Sequence, residues 1–463
     1  MSNMLVVGGL GFIGSYFAEK ISLEKRVIIL DNFSANSKEA YESLNGRKNI
    51  TIFDEDILFC DYANYLPNIN TVFHAPGNGG TSNNVPISVD DLEALSIFAS
   101  ENDCFTIVGP EAPLAAGIVD VFNEKGLKIF GPTKKAAQLE SSKIWAKEFM
   151  KRNNIPTAAF EVFDDASKAK EYVNGIEHDV VIKADGLAAG KGVIVCNSKT
   201  EAEKAIEMIL VSKKFGDAGN NIIIEDRIDG VEASYIALSD GKLAIPMATS
   251  QDHKRIYDND KGPNTGGMGA YSPTPVIDEN LSKEIQKKII DKTISSLENE
   301  GITFKGFLYA GIMLKDGEPY VLEYNVRMGD PECQPILMRM NSDLFQYLNA
   351  SVEGTLEKLS PISWKNKSAV CIVLASKGYP DSYPKDDEIF GLDGVFDNAY
   401  VYHAGTKVKN EKIVTNGGRV LGVTALGDTL DSAIKNAYSA TEKISWKNKY
   451  SRMDIGKKGL TYL

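Results

Sequence analysis

Through the first third of the chain, short apolar runs alternate with amphipathic stretches, the pattern of a parallel sheet covered by helices on both faces. Strands are predicted at 5–7, 27–30, 50–53, 71–74, 105–108 and 128–130, which makes residues 1–140 a doubly wound, Rossmann-like domain. The segment 141–154 (SSKIWAKEFMKRNN) then reads as a helix with a serine cap. Ile155-Pro156-Thr157 closes it, so the first domain boundary falls at its start.

Residues 141–355 carry β-rich blocks at 180–195 and 221–238, a helical pattern at 281–299 and a strand pair at 306–314 and 319–325, an α+β arrangement. The tail, 356–463, shows strand signals at 369–375, 400–404 and 419–425 and a helix at 429–444, a small third domain. Composition agrees, since 463 residues with 43% hydrophobic and 25% charged suit a globular chain of about three domains. A net charge of -12 argues against general affinity for nucleic acid or anionic membrane and leaves small anionic substrates open. The five cysteines are scattered, odd in number and without a CxxC pair, which points to neither a disulfide framework nor a zinc site. No window reaches the roughly 18 apolar residues of a membrane span, and the first residues lack an export pattern. A cytoplasmic protein, monomeric or weakly associated, is expected.

The most chemically loaded stretch is 247–273, MATSQDHKRIYDNDKGPNTGGMGAYSP. Asp252, His253, Lys254 and Arg255 are consecutive and too polar for a core strand. Gly262, Gly266, Gly267 and Gly269 follow, and such clustering marks unusual dihedrals or close approach of backbone to a ligand. A charged surface loop is the bland alternative. Three further segments fit ATP handling. In 181–193 a strand delivers Lys183, and a glycine-rich turn with Gly186, Gly190 and Gly192 delivers Lys191, point charges and backbone N–H groups suited to phosphate oxygens. It is not a GxxxxGK[ST] loop, and a hairpin with two surface lysines is an even alternative. In 222–232 an apolar strand runs into an acidic turn containing Glu225, Ile228 and Glu232, where backbone groups can read adenine and carboxylates accept from ribose. In 320–332 the period of two places Glu323, Asn325 and Arg327 on one strand face. Two adjacent oxygen ligands suit magnesium, with Arg327 neutralising phosphate or carboxylate. The four histidines, His74, His178, His253 and His403, lack ligand spacing, and only His253 lies near this chemistry.

Together with Phe307-Leu308-Tyr309-Ala310-Gly311, these strings resemble the phosphoribosylamine–glycine ligases (glycinamide ribonucleotide synthetases), purine-pathway enzymes of the ATP-grasp superfamily. The resemblance runs from Ala75-Pro76-Gly77-Asn78 through 107–114 and 129–133 to His403-Ala404-Gly405-Thr406 and 415–420. It implies an ATP-grasp core at 141–355 between the doubly wound domain (1–140) and a C-terminal domain (356–463) that closes over the site. It also implies an ATP-dependent carbon–nitrogen ligase. Glycine's carboxylate attacks the γ-phosphate, and the amine of 5-phosphoribosylamine displaces phosphate, giving glycinamide ribonucleotide. Lys143, Lys183, Gly190 and Lys191 would hold ATP, and Glu225, Ile228 and Glu232 its nucleoside. Mg2+ or Mn2+ would sit on Glu323 and Asn325. Asp252, Lys254, Asn264, Thr265 and Gly267 would line the glycine and acceptor sites, Gly109, Pro110 and Glu111 would help seat the ribosylamine, and Lys183, Asp252 and Arg327 would serve the reaction directly.

The opening departs from this family. Instead of its GNGGREHA-type loop, Gly8, Gly11 and Gly14 form a GxxGxxG, and Asp31 ends the second strand some twenty residues on. Residues 1–75 therefore resemble the start of an extended short-chain dehydrogenase or nucleotide-sugar epimerase. The two YxxxK matches, Tyr16/Lys20 and Tyr257/Lys261, are read as chance, so NAD ranks well behind ATP as a ligand. Two rivals stay open: an NAD-binding protein with an inactive ligase body, and an ATP-grasp ligase for another amine.

Overall fold

The computed structural model describes residues 87–187, 192–392, 394, 396, 398–410 and 412–463, and before them only the backbone of four strands. Those strands are β1 (Asn3–Val7), β2 (Val27–Asp31), β3 (Ile50–Asp54) and β4 (Ile69–Phe73); β5 (Phe105–Ile107) and β6 (Ile129–Phe130) complete one sheet. Its order is β3-β2-β1-β4-β5-β6 with every pair parallel, the doubly wound arrangement expected from runs apolar on both faces. The loop that follows β1, with its three spaced glycines, and the side chain of Asp31 lie outside the described residues.

The predicted helix at 141–154 appears as Lys143–Arg152, with Ser142 Oγ accepting from Trp145 N–H as its cap. Beyond it, β7 (Phe160–Phe163), β8 (Val180–Ala184), β9 (Val193–Cys196) and β10 (Ile222–Asp226) form a small antiparallel sheet, ordered β7-β10-β8-β9. Helices Ala166–Gly175 and Lys199–Ile206 cover it with a core of their own, built on Val173, Ile182, Ile206 and Ile222. The resulting unit is more self-contained than the sequence pattern suggested.

The central sheet is ordered β12-β11-β17-β18: β11 (Val231–Asp240), β12 (Ala244–Pro246), β17 (Lys305–Lys315) and β18 (Glu318–Asn325). Its two faces follow from strand alternation. Ala233, Tyr235, Ala237, Leu308, Ala310 and Ile312 point into one core shared with the helices of the first domain. Ser234, Tyr309, Glu323 and Asn325 stand on the other face, aligned by the pairings Ser234↔Gly311, Gly311↔Glu323 and Tyr309↔Asn325. Where β17 meets β18 the register slips after Gly311↔Glu323 to Ile312↔Val321, leaving Leu322 as a bulge.

The charged, glycine-rich segment does not form a free loop. Within it lie β13 (Gln251–Asp252), the hairpin β14 (Arg255–Tyr257) and β15 (Lys261–Asn264), and β16 (Gly269–Ser272). β16 and β13 extend the C-terminal sheet, whose order is β13-β16-β19-β23-β20, with β19 at Ser368–Ser376, β20 at Ala399–His403 and β23 at Arg419–Gly427. A hairpin of β21 (Thr406–Lys409) and β22 (Lys412–Thr415) stands apart, and β24 (Lys449–Tyr450) pairs with β19. Helix Leu430–Lys443, started by a Thr429/Ser432 capping box, packs Ala433, Ile434 and Ala437 onto this sheet.

Arg452 locks the chain's last segment onto the β14–β15 hairpin. It is 1% exposed; Nε and Nη2 each lie 2.8 Å from an oxygen of Asp454, and Nη1 donates to Asp260 at 3.0 Å and to the Arg255 carbonyl at 2.9 Å. Removing it strands two carboxylates that are only partly wetted. Arg452→Ala is therefore expected to lower stability by about 2–4 kcal/mol in urea unfolding, under the range for a fully buried pair. A loss below about 0.5 kcal/mol would show that the clamp adds little.

Candidate active site

Arg327, just beyond β18, ties the first domain to the central sheet. Its Nε donates to Glu111 at 3.1 Å, Nη2 lies 2.9 Å from Glu140, and the same nitrogen is 3.5 Å from Asn325 Oδ1. Glu111 opens a helix immediately after β5 with Pro110 as its N-cap, so Gly109, Pro110 and Glu111 occupy the carboxyl end of a parallel strand, where doubly wound sheets bind ligands. Glu140 also accepts the Val326 N–H at 2.8 Å; burial raises its carboxyl to about 7 against the pull of Arg327.

Across the site, a single buried carboxylate organises two lysines. Glu225 Oε1 lies 2.9 Å from Lys183 and Oε2 3.2 Å from Lys147, with all three side chains no more than 6% exposed. Lys183 donates also to the Leu322 carbonyl at 2.9 Å, a group turned out of the ladder by the bulge. Burial lowers the Lys147 ammonium to about 8 although Glu225 opposes it, and burial lowers Lys143 as well. Lys143 reaches the Gly186 carbonyl at 3.0 Å from the first turn of its helix, whose cap is braced by Asp185. Glu225 thus gives its carboxylate to Lys147 and Lys183, and its strand position is paired with Phe160 on one side and Val181 on the other. Glu232 keeps a carboxylate 46% exposed, and half-buried Ile228 lies two residues past the end of β10.

Lys254 closes the third side. It lies 3.2 Å from Glu232 and 3.6 Å from Glu323, and Glu232 in particular holds its ammonium well above the usual lysine range. Burial alone would raise Glu323, but Lys254, Lys183, Lys143 and Arg327 together bring it down to about 2. Beneath it Gly311 supplies no side chain; a Cβ there would sit 3.4 Å from Glu323 Cγ. The glycine turn wraps over the top. Thr265 N–H donates to the Lys254 carbonyl at 2.7 Å and Gly267 N–H to Thr265 Oγ1 at 3.0 Å. Gly267 has φ +106°, and a Cβ would fall 2.4 Å from Pro331 and 3.0 Å from Asp252 Oδ1, so only glycine fits. Arg419 fastens this turn from the C-terminal domain, donating to the Gly266 carbonyl at 2.7 Å and to Asp330 Oδ2 at 2.7 Å.

Lys143, Lys183, Glu225, Glu232, Asp252, Lys254, Thr265, Gly267, Glu323, Asn325, Arg327 and Glu111 thus gather around one space. Asn264 stands at the margin, paired with Arg255 across the hairpin. Gly190 and Lys191 lie outside the described residues. His253, by contrast, is structural: 3% exposed, its Nε2 accepts the Gly456 N–H at 3.3 Å and its Nδ1 faces the Gly269 carbonyl at 3.3 Å. Sequence reasoning missed Lys147, Glu140, Glu332 and Arg419. Lys147 follows Lys143 by one helical turn, a usable signal. Glu140 and Arg419 act through partners far away in the chain, which no local pattern shows.

Glu323 and Asn325 offer adjacent oxygens, one held ionised, a donor set that fits a hard divalent cation completing its shell with phosphate and water. Among the described residues no group of three or more His, Cys, Asp or Glu is arranged to hold a metal alone. No helix among them is long and apolar enough to cross a membrane.

Family models match the chain in three consecutive parts: the N domain of phosphoribosylglycinamide synthetase at 57–140, its ATP-grasp (A) domain at 141–333 and its C domain at 369–458. The phosphoribosylamine–glycine ligase of Ralstonia nicotianae is 49% identical over 401 residues, covering 85% of this chain and 94% of that protein. The enzyme of that name from Vibrio vulnificus strain CMCP6 is 50% identical over 398 residues, covering 84% and 92%. A crystal structure of phosphoribosylamine–glycine ligase from Thermotoga maritima aligns with a TM-score of 0.74 at 29% identity, covering 98% of this chain and all of that one. Biotin carboxylase from Campylobacter jejuni, at 15% identity and a TM-score of 0.62, shares the fold alone.

Burial, reinforced by Arg452, lowers the His253 imidazole to about 4, and burial does the same to His403. A base held below its unfolded value of about 6.5 adds stability that is complete above that value and lost as pH falls towards the folded one. Between pH 6.5 and about 4 each histidine should cost up to about 1.4 kcal/mol per pH unit. His253→Gln should flatten that slope by about one proton in urea titrations; an unchanged slope would contradict a buried neutral imidazole.

Proposed function

The chain belongs to the phosphoribosylglycinamide synthetase family, and from that premise we propose that the face of Glu323, Asn325, Lys183, Lys254 and Arg327 is where ATP activates glycine. The activity is the ATP-dependent ligation of glycine to 5-phosphoribosylamine, a step of purine biosynthesis. A glycine carboxylate oxygen attacks the γ-phosphorus and ADP leaves. The ribosylamine nitrogen then attacks the glycyl carbonyl, the C–O bond to phosphate breaks with its electrons going to phosphate, and glycinamide ribonucleotide forms after the nitrogen sheds a proton. No side-chain nucleophile is needed; charge neutralisation and positioning carry the reaction.

In this reading Lys143 and Lys183, with Gly190 and Lys191, hold the phosphates. Glu225, Ile228 and Glu232 seat the nucleoside, and Arg327 balances charge at the transferring group. Mg2+ or Mn2+ on Glu323 and Asn325 would supply Lewis-acid neutralisation of phosphate charge. Asp252, Lys254, Asn264, Thr265 and Gly267 line the glycine and acceptor sites, and Gly109, Pro110 and Glu111 approach the ribosylamine. Domain limits at 140/141 and 355/356, a cytoplasmic setting and a monomeric or weakly associated state belong to the same reading. The supporting observation is the convergence of Lys143, Lys183, Lys254 and Arg327 on Glu323, which places several cationic donors around one point where a polyphosphate can be met.

The test is ADP release by the purified protein with Mg2+ and ATP, with glycine and 5-phosphoribosylamine added singly and together. Release is expected only with both. Lys183→Ala and Glu323→Gln should each lower kcat by roughly 100-fold or more while far-ultraviolet circular dichroism stays unchanged. Wild-type turnover in either variant refutes the role given to that residue.

A further inference from the structure

Helix Lys143–Arg152 carries two lysines one turn apart, so Lys143 and Lys147 share a face, yet only Lys143 is among the groups given to phosphate. Lys147 is 2% exposed. Its ammonium donates to Thr157 Oγ1 at 2.6 Å, and that hydroxyl donates onward to the Val321 carbonyl of β18 at 2.7 Å. An isolated parallel bridge between Thr157 and Val321 braces the contact, with the Val321 N–H donating to the Pro156 carbonyl at 2.8 Å. On its other side Lys147 lies 3.2 Å from Glu225 Oε2. Lys183, 2.9 Å from Glu225 Oε1, is anchored to the next carbonyl of β18, that of Leu322. A buried carboxylate of the small sheet is thus held between two ammonium groups that are both tied to the central sheet.

The charges in this group do not cancel. Two cations share one anion, so one positive charge is left over. Glu225 Oε1 accepts no hydrogen bond among the described residues, which makes its hold on Lys183 Coulombic. One of the three Lys183 donors goes to Leu322, and two remain for a phosphate. Without a charge at position 147, Glu225 and Lys183 would form a neutral pair at low dielectric, where the attraction is strong and draws the ammonium to the carboxylate. We propose that Lys147 is a positioning residue of the ligase: it occupies the second oxygen of Glu225 and so leaves the Lys183 ammonium directed at the phosphates of ATP. This inference rests on the ligase reading and adds to it a residue that acts through Glu225 rather than on ATP itself.

The charged groups that face Lys147 are Glu225 from β10 and Lys183 from β8, with the Phe160 ring of β7 5.8 Å away. Burial, opposed by Glu225 and aided by Lys183, brings its ammonium down to about 8, so its charge is complete well below that value and lost above it. Steady-state kinetics of the full chain, with ATP and glycine varied separately at saturating ribosylamine, test the role. Lys147→Met should raise the KM for ATP about 10-fold or more while the KM for glycine changes less than twofold. In the wild type, kcat/KM for ATP should fall by up to about tenfold per pH unit above about 8. Lys147→Arg, whose guanidinium stays charged, should move that fall to higher pH. Lys143, also lowered by burial, is present in both proteins, so the difference between them reports position 147. A KM for ATP within twofold of the wild type in Lys147→Met, or the same alkaline fall in the wild type and Lys147→Arg, overturns the role of Lys147 while leaving the ligase intact. No glycine-dependent ADP release by the wild type overturns the ligase reading and this role with it.

Discussion

Glu323 is the point on which four separate elements close. Lys143 comes from a helix start, Lys183 from a strand of the small sheet, Lys254 from the glycine-rich segment and Arg327 from beyond β18, and together they reverse the penalty that burial places on its charge. Their mutual repulsion at short range is substantial, since like charges a few ångströms apart repel by several kcal/mol at protein-like dielectric. One carboxylate cannot offset it alone. Glu225, Glu232, Glu111 and Glu140 each take a share, and the result is a balanced cradle that keeps cations poised where a polyphosphate would enter.

The fold makes this possible by exploiting strand alternation and one irregularity. A sheet that buries Ala233, Tyr235, Leu308 and Ala310 on one face necessarily offers Ser234, Tyr309, Gly311 and Glu323 on the other. The bulge at Leu322 turns a carbonyl towards Lys183, and Gly267 lets the covering turn come within contact of Asp252 and Pro331. Arg419 and the Arg452 clamp then hold that turn and its hairpin from the C-terminal domain. Each domain therefore contributes a contact without which the site is incomplete.

Much of this was legible in the chain beforehand. Alternating runs located β1 to β6, the β17–β18 pair and the C-terminal strands, and the serine cap placed the helix at Lys143–Arg152. The period of two put Glu323 and Asn325 side by side. What stayed hidden depends on contacts distant in sequence: nothing around Glu225 shows that Lys147 and Lys183 claim its carboxylate, and nothing within 247–273 shows that its strands join the sheet of β19 and β23. His253 lies beside Asp252 and Lys254 in the sequence, and burial and the Gly456 N–H make it a brace. Burial is a property of the assembled chain, so local charge pattern cannot report it.

The most direct measurement follows oxygen atoms. Glycine labelled with 18O in its carboxylate, turned over with ATP, Mg2+ and 5-phosphoribosylamine, yields inorganic phosphate that can be read by the isotope shift in its 31P resonance. Attack of the carboxylate on the γ-phosphorus followed by C–O cleavage predicts one 18O in each phosphate released. Unlabelled phosphate formed alongside glycinamide ribonucleotide would contradict activation of glycine at this site.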